Sequence, residues 1–129
     1  MRCYVGITPD ELQRFLNEGS FIFPLGMTVT QFRADENPEA DEEELEFEVS
    51  WIAALESRDR QSSALANGYA LALEIPNSST GSANENGVEI VSPVLWEQVE
   101  ALLVADSDEM ELSWFAPQEV SLQLPAWLS

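Results

Sequence analysis

The sequence predicts a single α+β domain over residues 1–129, with a ferredoxin-like βαββαβ core and helices packed on one face of a mainly antiparallel sheet. Three observations lead to this prediction. Helix start signals alternate along the chain with short apolar runs of the kind that form strands. Hydrophobic residues make up 45% of the 129 residues, enough for one core. When an inserted strand and a long acidic helix are set aside, the remaining order is βαββαβ.

The first elements are a strand and a capped helix. The apolar run CYVGI over residues 3–7 predicts a short strand. Thr8-Pro9-Asp10-Glu11 is a capping box with proline in the first helical position, so the Thr8 hydroxyl can accept a hydrogen bond from the Glu11 amide. An apolar stripe follows, and Gly19 ends the helix.

The segment FIFPLGMTVTQFRA, which begins at Phe21, allows two alternatives. It has β-rich flanks around Pro24 and Gly26. It therefore forms either a hairpin or one strand from Met27 to Thr30 after an irregular approach.

The segment EEELEFEVSWIAALE, which begins at Glu42, alternates like a strand over its first half. Three features favour a helix instead. Asn37-Pro38-Glu39 is a helix start signal, and acidic residues are stabilised near a helix N-terminus. Nothing breaks a helix downstream. An apolar stripe also keeps helical spacing, with Phe47 and Trp51 at its sides, through Leu45, Val49, Ile52 and Leu55. We predict one helix from about residue 40 to 64.

Two strands are predicted after the long helix, which Asn67-Gly68 ends. The run YALALEI over residues 69–75 alternates as a strand does, and residues 88–91 form the next strand. The polar stretch between them, residues 76–87, is typical of a flexible loop. The simplest arrangement is a hairpin of the two strands with a long connection.

The last third of the chain carries a start signal at Ser92-Pro93, which predicts a helix over residues 94–106. Its apolar face would contain Leu95, Val99, Leu102 and Leu103. A strand over residues 110–114 follows. Pro117 begins a short helix, which Pro125 is expected to stop.

The charge is strongly negative: 24 acidic residues stand against five bases, all arginine, for a net charge of -19. Such a surface repels nucleic acid and anionic membranes, so we expect no direct binding to either, and it attracts basic partners. Solubility alone is an equally weighted interpretation. Cys3 is the only cysteine, which excludes an intrachain disulfide. No signal peptide or membrane span is predicted, so a cytoplasmic location is expected.

Three segments resemble a family of small acidic actinobacterial proteins of unknown function: the start MRCYVGITPDELQRFL, the DEEELEFEVSWIAAL helix and the ending ELSWFAPQEVSLQL. That family opens with a strand of the MRVYV type, and Cys3 replaces its valine. The resemblance implies an actinobacterial, cytoplasmic origin. It implies no function and no catalytic residues.

Catalytic chemistry has little support in the sequence. Without histidine or lysine, the usual general base and Schiff-base amine are absent, and Cys3 lies in a predicted core strand. The acidic run Asp106–Glu111 lacks the glycine and the full ligand spacing of a calcium loop, and Asp41–Glu44 lies on a predicted helix, where neighbouring side chains diverge. We predict no catalytic residue, no cofactor and no metal site. A carboxylate- or metal-assisted enzyme remains an alternative.

The sequence therefore predicts a non-enzymatic interaction or regulatory module that binds a basic protein surface or a second copy of itself. A nucleic-acid mimic that inhibits a DNA- or RNA-binding protein is the alternative within binding. Trp51 and Trp114 are assigned to the core, and an exposed aromatic patch is weighed against packing of the same rings under the C-terminal segment. The candidate interaction surface consists of Glu42, Glu43, Glu44, Glu46, Glu48, Trp96, Phe115 and Trp127.

Overall fold

The computed structural model describes residues 1–61, 66–85, 87–106 and 111–128. Within these ranges the strands are β1 Arg2–Gly6, β2 Ser20–Phe21, β3 Leu25–Met27, β4 Gly68–Glu74, β5 Thr80–Ala83, β6 Gly87–Ile90, β7 Val94–Leu95, β8 Val99–Ala105 and β9 Ser113–Phe115. The helices are α1 Pro9–Glu18, α2 Gln31–Glu36, α3 Glu42–Asp59 and α4 Pro117–Leu128. Short 3₁₀ turns lie at Asn77–Ser79 and Trp96–Gln98.

Seven strands form one antiparallel sheet in the order β5-β6-β3-β1-β4-β8-β9, and β2 pairs with β7 in a small second sheet. The predicted α+β class is confirmed. The ferredoxin-like order is not established, because the second crossover helix of that arrangement is replaced by a strand and the sheet has seven strands. No helix in the described part of the chain is long and apolar enough to cross a membrane.

Helices cover both faces of the sheet, so the prediction of helices on one face is wrong. In β4, Ala70 and Ala72 belong to the core layer under α3, whereas Leu71 and Leu73 belong to the layer under α1 and α4. The central strands are apolar at successive positions and bury both faces, as strands between two layers do.

The capped first helix is confirmed. Thr8 Oγ1 accepts from the Glu11 amide at 3.3 Å, and Glu11 Oε1 accepts from the Thr8 amide at 2.9 Å. Gly19 ends α1 with φ 78°, a left-handed conformation that glycine adopts without steric cost.

The long acidic helix is confirmed at its centre, but its start lies elsewhere. α3 begins at Glu42 and is capped by Asp41, whose Oδ1 accepts from the Glu44 amide at 2.8 Å. Asn37 instead follows α2, a helix that was not predicted. Asn37 does not begin a helix, because it caps the C-terminal end of α2. That helix begins upstream, where Thr30 is the N-cap. Of the predicted end of the long helix, residues 62–64 lie outside the described residues.

The helix predicted over residues 94–106 is wrong, because most of this segment is β8, which lies between β4 and β9. Its near-continuous apolar run VEALLVA fits a strand buried on both faces as well as it fits a helix face. The predicted hairpin is also wrong: β4 pairs with β1 and β8, whereas β6 pairs with β3 and β5.

Two smaller expectations also fail. The segment from Phe21 forms neither a hairpin nor a Met27–Thr30 strand, because β2 pairs with β7 while β3 pairs with β1 and β6. Pro125 does not stop α4, which continues to Leu128. The proline lies exposed in the last turn, where water can satisfy the carbonyl that loses its amide partner.

Candidate functional site

The strongest concentration of exposed charge lies where α2 ends and α3 begins. Seven carboxylates on these two elements and the turn between them are exposed, and we call them the acidic corner: Asp35, Glu36, Glu39, Asp41, Glu42, Glu43 and Glu44. Among the described residues, none of the seven forms an ion pair. Their charge is therefore uncompensated locally.

The two other acidic residues of the predicted surface differ from the first three. Glu46 is half-buried on α3; burial and, after it, the charge of Glu46 raise the pKa of Tyr4. Glu48 Oε1 lies 2.8 Å from Arg33 Nη1, an ion pair between α3 and α2. Glu42, Glu43 and Glu44 are thus the members of the prediction that remain free to meet a partner.

The arginines are engaged within the fold, which explains why the corner is left unpaired. Arg2 contacts Glu74 at 3.4 Å, and Arg58 donates to the Ala105 carbonyl at 3.1 Å. The Arg14 guanidinium lies 5.5 Å from the centre of the Phe21 ring, a cation–π contact.

The predicted aromatic patch does not form as one exposed surface. Trp96 is half-buried and meets Phe15 edge to face at 5.0 Å. The ring centres of Phe115 and Trp127 lie 5.3 Å apart, and the Tyr69 ring is tilted against Trp127 at a centre distance of 5.3 Å. All three predicted rings pack against the core under α1 and α4, which agrees with the packing interpretation.

The two tryptophans assigned to the core have different positions. Trp51 lies on α3 and is buried, as predicted, with 8% of its surface exposed. Trp114 is 61% exposed, so its assignment to the core is wrong. It lies on the edge strand β9, where the neighbouring Phe115 rather than Trp114 packs on the core.

A second charged group, which the sequence reasoning missed, joins α1 and the end of α3. Arg60 Nη1 lies 2.8 and 2.9 Å from the two Glu11 oxygens, and Arg60 Nε lies 2.6 Å from Glu56 Oε1. Burial alone would lower the pKa of Arg60, but hydrogen bonding to Glu11 and the charges of Glu11 and Glu56 raise it. The four-residue spacing of Glu56 and Arg60 was a visible signal, whereas the contact with Glu11 depends on the fold.

Potential metal ligands do not cluster in the part of the chain that the structure describes. No three histidine, cysteine, aspartate or glutamate residues there are placed to hold a metal ion. The acidic run Asp106–Glu111 lies in part outside the described residues. Cys3 is fully buried in β1, as predicted, and burial raises the pKa of its thiol to about 11, which keeps it protonated.

The fold and the surface together define a small antiparallel α+β protein with helices on both sheet faces and one unpaired acidic corner. The chain belongs to the family of unknown function DUF6912, whose model matches residues 1–111. The match contains two of the three segments that suggested a family resemblance, the MRCYV start and the DEEELE helix, while the WFAPQE ending lies beyond it. No curated protein and no solved structure matches the chain.

Proposed function

We propose that this protein is a non-enzymatic interaction module that binds a basic protein surface through the acidic corner. The observation that carries the proposal is the group of seven exposed carboxylates that form no ion pair with any described residue, in a chain of net charge -19. Uncompensated charge of this density accelerates association with a basic surface and is screened by salt.

An apolar anchor lies beside the charge. Phe47 follows Glu43 by one helical turn on α3 and keeps 39% of its surface exposed. Binding energy at protein interfaces concentrates on aromatic and arginine residues, and charged residues around them set the rate and the specificity. We therefore expect a partner segment that places arginines against Glu43 and Glu44 and an apolar side chain against Phe47.

The proposed setting is the cytoplasm of an actinobacterium, as the sequence resemblance implies. Absence of histidine and lysine and burial of the only thiol support a non-enzymatic role. A nucleic-acid mimic would use the same acidic corner, and its partner would be a DNA- or RNA-binding protein. Competition by duplex DNA or RNA for the captured partner separates this alternative from a general adaptor.

The experiment is affinity capture from a lysate of an organism that carries the gene, with the bound proteins eluted in steps of salt and identified by mass spectrometry. The test variant is Glu42→Gln/Glu43→Gln/Glu44→Gln. A matched control, Glu89→Gln/Glu97→Gln/Glu100→Gln, removes the same charge from exposed residues outside the corner. We expect one basic protein that the wild type and the control retain and the test variant loses.

The affinity for that partner should fall about tenfold or more in the test variant, since three charged contacts are lost. Equal loss in both triple variants would contradict the proposal, because it would mean that net charge alone holds the partner. Retention by all three proteins would place the contact elsewhere on the molecule.

A further inference from the structure

A groove runs along the side of α3 that faces β3. Glu48, Ile52 and Glu56 of α3 are spaced by four residues, and Arg60, the residue that caps the helix, continues this row to a length of about 18 Å. Leu25 and Met27 of β3 form the opposite wall, and they border two neighbouring cavities. The row lies beside the one that faces the sheet, which explains why it is only partly buried.

The larger cavity has a volume of about 400 Å³, within the range of small-molecule sites. The cavity exists because β1 pairs with β4 along its whole length but with β3 only at Tyr4 and Met27. Beyond that pair, β3 separates from β1. Its walls are mainly apolar and include Phe21, Phe23, Leu25 and Met27. Its charged lining consists of Glu11, Glu56 and Arg60.

The charge of this lining favours a cation. Arg60 is engaged by the protein itself: its Nη1 and Nε contact the two carboxylates, and its Nη2 donates to the Gly6 carbonyl at 2.9 Å. Two carboxylates against one guanidinium leave a net charge of about -1. An anion would meet repulsion here, whereas an ammonium group would meet attraction.

Glu56 supplies a specific acceptor. Its Oε1 contacts Arg60, while its Oε2 lies over Gly6, in the space that a Cβ at that position would need. Within the described residues, this second oxygen has no hydrogen-bond partner. Glu56 and Gly6 both line the cavity, so the Glu56 carboxylate and the apolar walls border the same space.

We propose that this cavity binds a small organic cation, with the apolar body against Phe21, Phe23 and Leu25 and the ammonium group on Glu56. The site is separate from the acidic corner, because Glu56 lies twelve residues after Glu44, about 18 Å along the axis of α3. The two proposals can therefore fail independently.

The test uses three probes of matched shape on the full chain: 2-phenylethylammonium, 2-phenylethanol and phenylacetate. Titrations followed by ¹⁵N chemical shifts should move the amides of Val5, Gly6 and Phe23, which line the cavity. We expect the ammonium probe to bind about tenfold more tightly than the alcohol, and phenylacetate more weakly than both. This comparison uses the wild-type protein and does not depend on how any variant folds.

Two variants then locate the charge effect. Glu56→Gln keeps an oxygen for Arg60 but removes the charge, and should reduce the advantage of the ammonium probe over the alcohol about tenfold. Glu43→Gln removes the same charge from the acidic corner of the same helix and should leave that advantage unchanged. Equal affinity for ammonium and alcohol, equal effects of the two variants, or shifts only outside the cavity would each overturn the proposal.

Discussion

Successive residues of β4 meet two very different layers. Ala70 and Ala72 belong to the layer under α3, whereas Leu71 and Leu73 belong to the layer under α1 and α4. On the α3 side the helix also presents small residues, Ala53 and Ala54, to the sheet. The layer under α1 and α4 is filled with aromatic rings and branched aliphatic side chains.

This difference sets how closely each helix approaches the sheet. A Cβ built on Gly68 would overlap the Ala54 carbonyl oxygen, and one built on Gly6 would come within 2.5 Å of the Ala53 carbonyl oxygen. At Gly6 and Gly68 the α3 layer is therefore packed backbone against backbone, whereas the opposite layer is filled by side-chain volume. The first should be sensitive to added atoms and the second to removed atoms.

Phe15→Ala should show the largest effect, because it removes volume from the layer that depends on volume. Phe15 is fully buried, and its ring lies 5.0 Å from Trp96, 5.9 Å from Phe21 and 6.0 Å from Phe23. We expect the free energy of unfolding to fall by about 3–5 kcal/mol in denaturant titrations. Phe47→Ala, at an exposed site on α3, is the control and should cost less than about 1 kcal/mol. Similar losses for both would argue against a volume-dependent layer.

Gly68→Ala tests the opposite sensitivity, because it adds one methyl group to the layer that has no room. The added carbon would contact the backbone of Ala54, which cannot rotate away. We therefore expect the free energy of unfolding to fall by about 1–3 kcal/mol. Gly81→Ala on the exposed strand β5 is the matched control: its added carbon would meet only the side chains of Glu89 and Val91, which can move. Thermal unfolding of both variants measures the difference, and a Gly68 variant as stable as the Gly81 variant would break the comparison.

The same contrast explains how much of the fold could be predicted. α1 was predicted down to its cap because Thr8, Pro9 and Glu11 act within one turn and need no tertiary context. β8 was missed because its residues are apolar on both sides, and a strand between two layers loses the alternation that identifies strands. Strand pairing was missed for a related reason, since the antiparallel partners of β4 lie far away in the sequence.

The candidate sites divide in the same way. The exposed acids at the start of α3 could be predicted because acidic residues at a helix N-terminus remain in solvent. The Arg33–Glu48 ion pair and the Glu11–Arg60 contact join separate elements, so neither follows from local sequence. Trp114 and Phe115 are adjacent on β9, and only the position of that strand at the sheet edge decides which of them is buried.

Ser57 gives the smallest and most specific test, because it is a fully buried polar group on the side of α3 that packs against the sheet. Its hydroxyl donates to the Ile7 carbonyl at 2.6 Å and accepts from the Tyr69 amide at 3.2 Å, where the β1–β4 ladder ends. Ser57→Ala leaves both backbone groups without this partner and without access for water. We expect the free energy of unfolding to fall by about 1–2 kcal/mol. This value includes a small gain, because alanine has a higher helix propensity than serine.

Ser50→Ala is the matched control, since Ser50 is also a buried serine on α3 but donates only to the Phe47 carbonyl of its own helix, at 2.7 Å. Its removal should change the free energy of unfolding by less than about 0.5 kcal/mol. Hydrogen exchange at the Tyr69 amide adds a local readout, and it should accelerate in the Ser57 variant alone. Equal stability of the two variants would mean that close packing holds α3 on the sheet without help from this hydroxyl. Faster exchange at Tyr69 with unchanged exchange in the core under α1 would show that the two layers open independently.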